Sequence, residues 1–283
     1  MQESIFPTLG EQVLAFLRGV VPVGLCFALL FAVSLLPPDT ALREVEERGR
    51  LSVCMPEAYP PLVTADADRP GFEVELVQEI AARSGWRLNV VRNRSMGRDF
   101  NPRSWRITRA QCQMIAGGVA LSQTTKSFMD TSSGHLVTGW MMHSREPLEL
   151  GVRDQRIGFF AGMTGLDRIE LGQFLRRTEA ETIIIPSPEA LREGLETGTL
   201  DVAITEALLA SYTFGNGEWT SAWLPDELGR FPLGMGFWRG DTTVRKHVEA
   251  IMRDLVAEGF LDELGARYGL EADVFCHTDG VSC

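Results

Sequence analysis

Short apolar runs alternate with amphipathic helical patterns, first over 51–142 and again from 156 onward, and this alternation constrains the chain more than any other feature. Residues 51–55, 88–91, 114–119 and 136–142 read as strands. The stretch 71–84, with Phe72, Val74, Leu76, Val77 and Ile80 at helical spacing and Gly85 behind it, reads as a helix. A second set follows, with strands at 156–160, 182–185 and 202–205 and helices at 166–177 and 188–196. A strand at 235–238 and one long helix over 244–268, capped by Asp241 or Thr242, close the pattern. Strands alternating with helices predict an α/β chain with parallel, doubly wound sheets. Two such lobes without a nucleotide loop predict a hinged protein with a cleft between them. Thr125-Lys126-Ser127 imitates the end of a phosphate loop, but no glycine precedes the lysine.

Residues 19–36 form an uncharged run of 18, just enough to cross a bilayer, and Pro37-Pro38-Asp39 ends it. A secretory signal needs a basic start, and 1–17 hold Glu3 and Glu11 but no Lys or Arg. An uncleaved transmembrane anchor is the expectation, with a cleaved signal as its rival. The segment 1–18 is expected at the interface or on the cytoplasmic side. Arg18 stands before the run and Arg43, Arg48 and Arg50 after it, so charge counting alone argues against the N-terminus facing in. The cysteines argue for that orientation. Cys54, Cys112, Cys276 and Cys283 lie outside the run, and an even count suits two disulfides in an oxidising compartment, although four buried thiols would give the same count. The expected placement is a single-pass protein of the inner membrane with its body in the periplasm.

Charge then excludes partners. Basic residues number 27 against 38 acidic, a net charge of -11, and such a field repels nucleic acid. The basic stretch 92–109 (Arg92, Arg94, Arg98, Arg103, Arg106, Arg109) suits an acidic partner, lipid headgroups or plain solvent. Cys276 and Cys283 close a small loop more readily than they bind metal with His277. His135, His143, His247 and His277 lie in unrelated contexts, and neither a nucleophile elbow nor an HExxH motif occurs. No catalytic residue, cofactor or metal site is expected.

Several segments carry a family resemblance. Arg50-Leu-Ser-Val-Cys54, Tyr59-Pro-Pro-Leu62, Gly71-Phe-Glu-Val-Glu-Leu76, Ile115-Ala-Gly-Gly118, Ile157-Gly-Phe-Phe-Ala-Gly162, Leu200-Asp-Val-Ala-Ile-Thr-Glu206 and Gly236-Phe-Trp-Arg-Gly240 stand in the order and spacing of family-3 periplasmic solute-binding proteins, which serve polar amino-acid ABC transporters. The likeness covers about residues 41–270 and implies the type II two-lobed binding-protein fold. It divides the body into lobe I at 41–143 plus 230–270, lobe II at 144–229 and a Cys-containing tail at 271–283.

The ligand positions are mixed. The family's arginine that grips an α-carboxylate falls at Thr125, its hydroxyl at Ala120, the first helix N-terminal threonine at Met163 and its ammonium-binding aspartate at Glu206. Tyr59 and Thr164 match ligand-contacting positions, and Lys126 is one place from the missing arginine, which it replaces only as a point charge. The implied ligand set is Tyr59, Lys126, Thr164 and Glu206. Cys54 and Cys112 fall where solute-binding-like proteins associated with periplasmic quinoprotein dehydrogenases carry cysteines, and the fold makes their strands neighbours, so this resemblance implies a disulfide between them. The expected function is a membrane-anchored accessory subunit with a degenerate ligand site, docking on the periplasmic face of a membrane complex, such as one of electron transfer. The alternative is a receptor for a small polar or amino-acid-like ligand of an ABC transporter.

Overall fold

The computed structural model describes residues 9–34, 39–96, 101–147, 154–161, 166–215 and 218–276. The chain divides into two units, Met1–Asp39 and Thr40–Cys283. The first holds one helix, α1 (Leu9–Ser34), which contains Pro22. Its apolar side chains stand bare, with Leu25, Phe27 and Leu30 62%, 68% and 67% exposed. Among the described residues no helix is long and apolar enough to cross a membrane. The expected span 19–36 runs into 35–38, which lie outside the described residues.

The second unit begins with α2 (Ala41–Arg48), β1 (Arg50–Pro56), α3 (Phe72–Arg83), β2 (Arg87–Asn93) and β3 (Met114–Ala120). Next come α4 (Gln123–Phe128), the two-residue β4 (Asp130–Thr131) and β5 (Leu136–Ser144). The second winding is β6 (Arg156–Phe159), α5 (Arg168–Arg176), β7 (Glu181–Ile184), α6 (Pro188–Glu196), β8 (Val202–Glu206), α7 (Ala207–Phe214) and β9 (Thr220–Trp223). The chain returns through β10 (Arg230–Phe237) and ends on α8 (Thr242–Ala257) and α9 (Phe260–Arg267).

Strand order repeats. Lobe I reads β2-β1-β3-β10-β5, and lobe II reads β7-β6-β8-β5-β9. In each, three strands are parallel and the fourth runs antiparallel to them. The wholly parallel sheet expected from the alternation is corrected here. A parallel neighbour needs a crossover of a dozen or more residues, whereas β10 enters lobe I straight from lobe II and so runs back against β3. One strand serves both lobes: residues 136–139 of β5 pair with β10, and 140–143 pair with β8. The change of partner falls between Gly139 and Trp140, so the lobes are joined by continuous strand.

Period-two alternation sorts the core of lobe I. Leu51, Val53 and Met55 of β1 and Met114 and Ala116 of β3 face the helices, packing with Phe72, Leu76, Ile80, Val244 and Val248. Cys54, Ile115 and Val119 face the other way. That side is covered by Trp105 and Ile107 of the 92–113 loop together with Met96, Met129 and Phe128 at the end of α4. The implied disulfide joins Cys54 to Cys112, with Cα atoms 5.6 Å apart, and ties this loop to β1. Its basic residues are partly engaged, Arg94 with Glu57 (2.8 Å) and Arg109 with Asp241 (2.6 Å).

The single long helix expected over 244–268 is two helices. Gly259, at φ 77°, breaks it between Ala257 and Phe260. The apolar spacing continues across the break, which is why the pattern reads as one helix. Lobe II places Ile157, Leu171, Leu175, Val202 and Ile204 on the α5 side and Leu191, Leu195, Ala203 and Leu208 on the α6 and α7 side.

Candidate functional site

Tyr59 opens a tight turn closed by two backbone hydrogen bonds with Val63 (2.8 and 2.9 Å). Its ring rests on Gly118, where a Cβ would come within 2.3 Å of the tyrosine ring, so only glycine admits this packing. Gly117 and Gly118 both have positive φ, and both donate their N–H to Glu73 Oε2, Gly118 at 3.1 Å. Glu73, in the first turn of α3, is completely buried. Its Oε1 lies 3.0 Å from His135 Nε2, and the His135 ring stacks on Phe72.

Glu206 approaches from lobe II. It ends β8 and caps α7, accepting from Leu208 N (3.1 Å) and Leu209 N (2.9 Å), while the Thr138 hydroxyl of β5 donates to Oε1. Burial pushes its carboxyl above the ordinary range, and these hydrogen bonds, with the Tyr59 hydroxyl, pull the other way. The Tyr59 hydroxyl is raised well above its ordinary value by burial and then by the Glu206 charge. It is buried beside the Thr138 and Glu206 oxygens and makes no hydrogen bond of normal geometry. Lobe I and lobe II therefore meet through Tyr59 and Glu206, two of the residues the resemblance singled out.

The other implied positions do not join them. Thr125, where the family arginine would stand, is fully buried in α4, its N–H bonded to the Ser122 hydroxyl at 3.1 Å. Ala120 is buried at the end of β3. Lys126 is exposed; its N–H donates to the Ser122 carbonyl at 2.9 Å and its own carbonyl accepts from Arg239 at 3.0 Å. Thr164 and Met163 lie outside the described residues. Cys276 is disulfide-bonded, and Cys283, its expected partner, lies outside them too. Among the described residues no cluster of His, Cys, Asp and Glu is arranged to hold a metal ion.

Sequence reasoning missed Glu73, His135 and Thr138. Glu73 left one signal, an acid in the first turn between Phe72 and Val74, on the face that packs inward. His135 and Thr138 left none, because their partners are 62 and 68 residues away.

A carboxylate accepts about four hydrogen bonds. Glu206 already takes three from within the chain, and Tyr59 stands at the fourth. Most of the acceptor capacity of Glu206 is thus used within the chain, and Thr125 rather than an arginine stands at the position the resemblance gives to the carboxylate grip.

The family model described as bacterial extracellular solute-binding proteins, family 3, matches residues 51–271. None of the curated proteins matches the chain. Among solved structures, a polar amino acid ABC uptake transporter substrate binding protein from Streptococcus thermophilus aligns with TM-score 0.68 at 13% identity, covering 83% of this chain and 92% of its own. An ancestral cationic amino acid solute binding protein aligns with TM-score 0.67 at 18% identity, covering 81% and 99%. An ABC uptake transporter substrate binding protein from Streptococcus pneumoniae with bound histidine gives TM-score 0.58 at 13% identity, covering 81% and 96%.

Proposed function

The chain belongs to the family-3 bacterial extracellular solute-binding proteins, and from the buried, internally hydrogen-bonded Glu206 at its implied ligand position we propose that it serves as an accessory subunit rather than as a carrier of amino acids. In this reading the apolar N-terminal helix tethers the two-lobed body to the membrane, and the body docks on the periplasmic face of a membrane complex, such as one of electron transfer. The observation that carries the proposal is the Glu206 carboxylate, buried and met by Thr138, Leu208 and Leu209. Thr125 buried at the clamp position supports it. A tether suits a fixed subunit, since it raises the effective concentration at the partner. The bare apolar side chains of α1 fit such a cover.

Thermal unfolding with added amino acids tests the cleft. A ligand at 100 times its Kd adds about 2.7 kcal/mol of stability, and none is expected from any α-amino acid. Stabilisation by one of them overturns the proposal. Recovery from native membranes in mild detergent tests the rest: the full-length chain is expected in a stoichiometric membrane complex.

One observation favours a second reading. The buried Tyr59 hydroxyl without a normal hydrogen bond leaves a donor facing Glu206, the arrangement a small polar ligand would complete. On that reading the protein is a receptor of an ABC transporter, as the names of its structural neighbours have it. A processed, monomeric, soluble chain stabilised by a small polar compound would establish it.

A further inference from the structure

The acidic chain carries a basic patch on lobe I. Residues 92–109 hold six arginines and a single acid, Asp99, in a protein whose net charge is -11. Where this loop meets α4, four cations come together: Arg103 and Arg106 from the loop, Lys126 from α4 and Arg239 from the turn after β10. The turn 102–104 packs against α4, and the Arg239 guanidinium donates to the carbonyls of Lys126 (3.0 Å) and Ser127 (2.6 Å). All four residues are exposed, and among the described residues none has a carboxylate partner. Acids beside the loop are already taken, Glu57 by Arg94 and Asp241 by Arg109.

The frame beneath these charges is fixed. Trp105 is buried, and its carbonyl accepts from Asn93 Nδ2 at 3.0 Å. Asn101 Oδ1 accepts from Arg103 N at 3.2 Å. Trp238 Nε1 donates to the Cys112 carbonyl at 2.7 Å, its ring meets Phe128 edge-on, and the Cys54–Cys112 bond pins the end of the loop to β1. Arg106 stands between two buried residues, Trp105 and Ile107, at φ 53°. That left-handed conformation costs an arginine more than a glycine or an asparagine, and it keeps Arg106 outside while both neighbours turn inward.

Charge and shape together select the partner. A basic membrane-surface site sets its cations beside exposed Trp, Phe or Leu side chains that enter the bilayer. Here the aromatic and apolar residues face inward, and among the described residues none of the exposed large apolar side chains belongs to this patch. Cations held in a fixed array suit a partner of fixed shape, because the cost of ordering them is met before binding. Guanidinium groups also pair with carboxylates bidentately.

We propose that this patch is the docking surface for an acidic protein face: carboxylates of a subunit of the membrane complex pair with Arg103, Arg106, Lys126 and Arg239. The inference rests on the accessory-subunit reading and gives that contact its place and its chemistry.

The chain has two lysines, Lys126 in the patch and Lys246, exposed on α8. A carbodiimide joins an amine to a carboxylate in direct contact, so the full-length chain in its native membranes supplies both probe and control. Lys126 is expected to be joined to an Asp or Glu of another protein, and Lys246 is not. Arg103→Glu with Arg106→Glu is expected to lower recovery of the chain in its complex by about tenfold. Arg176→Glu with Arg253→Glu makes the same change in charge at exposed positions elsewhere and is expected to leave recovery unchanged. Equal recovery of the two double variants overturns the proposal and leaves the subunit reading standing, whereas an unaltered chain recovered alone overturns both. The cross-link is read on the unaltered chain, so it decides even where a variant fails to fold. Absence of a link from Lys126, or a link only to a second copy of this chain, overturns the proposal. So does protection of the 101–109 amides in phosphatidylglycerol nanodiscs that hold the full-length chain alone, which would assign the patch to lipid.

Discussion

The two lobes repeat one strand order but settle their buried polar groups differently. Each carries a fully buried glutamate that accepts two consecutive backbone N–H groups, Glu73 from Gly117 and Gly118 and Glu206 from Leu208 and Leu209. The remaining partner differs. In lobe I it is the ring nitrogen of His135, and at Glu206 it is a hydroxyl, Thr138. Lobe II then buries a histidine without an acid: His143 Nδ1 lies 2.8 Å from the Ser221 hydroxyl, and its ring stacks on Phe214. Two backbone N–H groups hold each carboxylate in place, while the third contact is a histidine ring in one case and a hydroxyl in the other. The lobes also differ in covalent support, since the Cys54–Cys112 bond ties down a loop that packs beside α4 on one side of lobe I.

Removing that bond gives the largest expected effect. The cysteines are 58 residues apart, and a loop of that length released in the unfolded chain lowers stability by about 4 kcal/mol. The double variant Cys54→Ala, Cys112→Ala is expected to lose that much in denaturant unfolding, with amide exchange rising first over β1, β3 and the 92–113 loop. Lobe II should keep its protection. Equal loss of protection in β6 and β8 would break the comparison, because it would mean that the lobes unfold as one unit.

Acid separates the lobes next. Burial pushes the His143 pKa down to about 4 from an ordinary 6.5, so the folded chain holds this ring neutral where the unfolded chain protonates it. The contribution is therefore present above about pH 6.5 and lost as pH falls toward 4. Its size is on the order of 3 kcal/mol. Glu206, with its pKa raised, works in the opposite sense, so the informative quantity is the difference between the parent chain and His143→Phe. That variant should flatten the fall of stability between pH 6.5 and 4. An unchanged slope would mean that His143 is not the group responsible.

Much of this frame is legible in the sequence, for reasons that also explain what is not. β1, β3 and β8 announce themselves because short β-branched and apolar runs bounded by glycine or charge have few other uses. Glu206 and Tyr59 were placed by their spacing within family-like segments, and the structure brings them together. Strand direction was not legible, since a period of two is the same whichever way a strand runs. Neither were the pairings of Glu73 with His135 and of Thr138 with Glu206, which exist only once β5 is threaded between the lobes. β9 and α7 escaped notice for a different reason: α7 is apolar on all sides and so has no face to detect, and β9 is short and half-exposed.

The smallest expected effect concerns how lobe I is covered, and its sign carries the information. Lobe II is covered by helices that follow its strands directly, whereas α8 and α9 reach lobe I from the end of the chain and depend on the bend between them. Gly259 makes that bend at φ 77°, with nothing within 4 Å of where a Cβ would stand. Gly259→Ala therefore meets no clash and reports backbone conformation alone. With a left-handed residue there, alanine is expected to cost about 1 kcal/mol. Were 244–268 a continuous helix, the same change would stabilise it by about 1 kcal/mol, because glycine is the poorer helix former by that amount. A rise in Tm for Gly259→Ala would restore the single helix and detach α9 from its present seat against α3. A fall would fix the bend as the device by which the chain end closes lobe I.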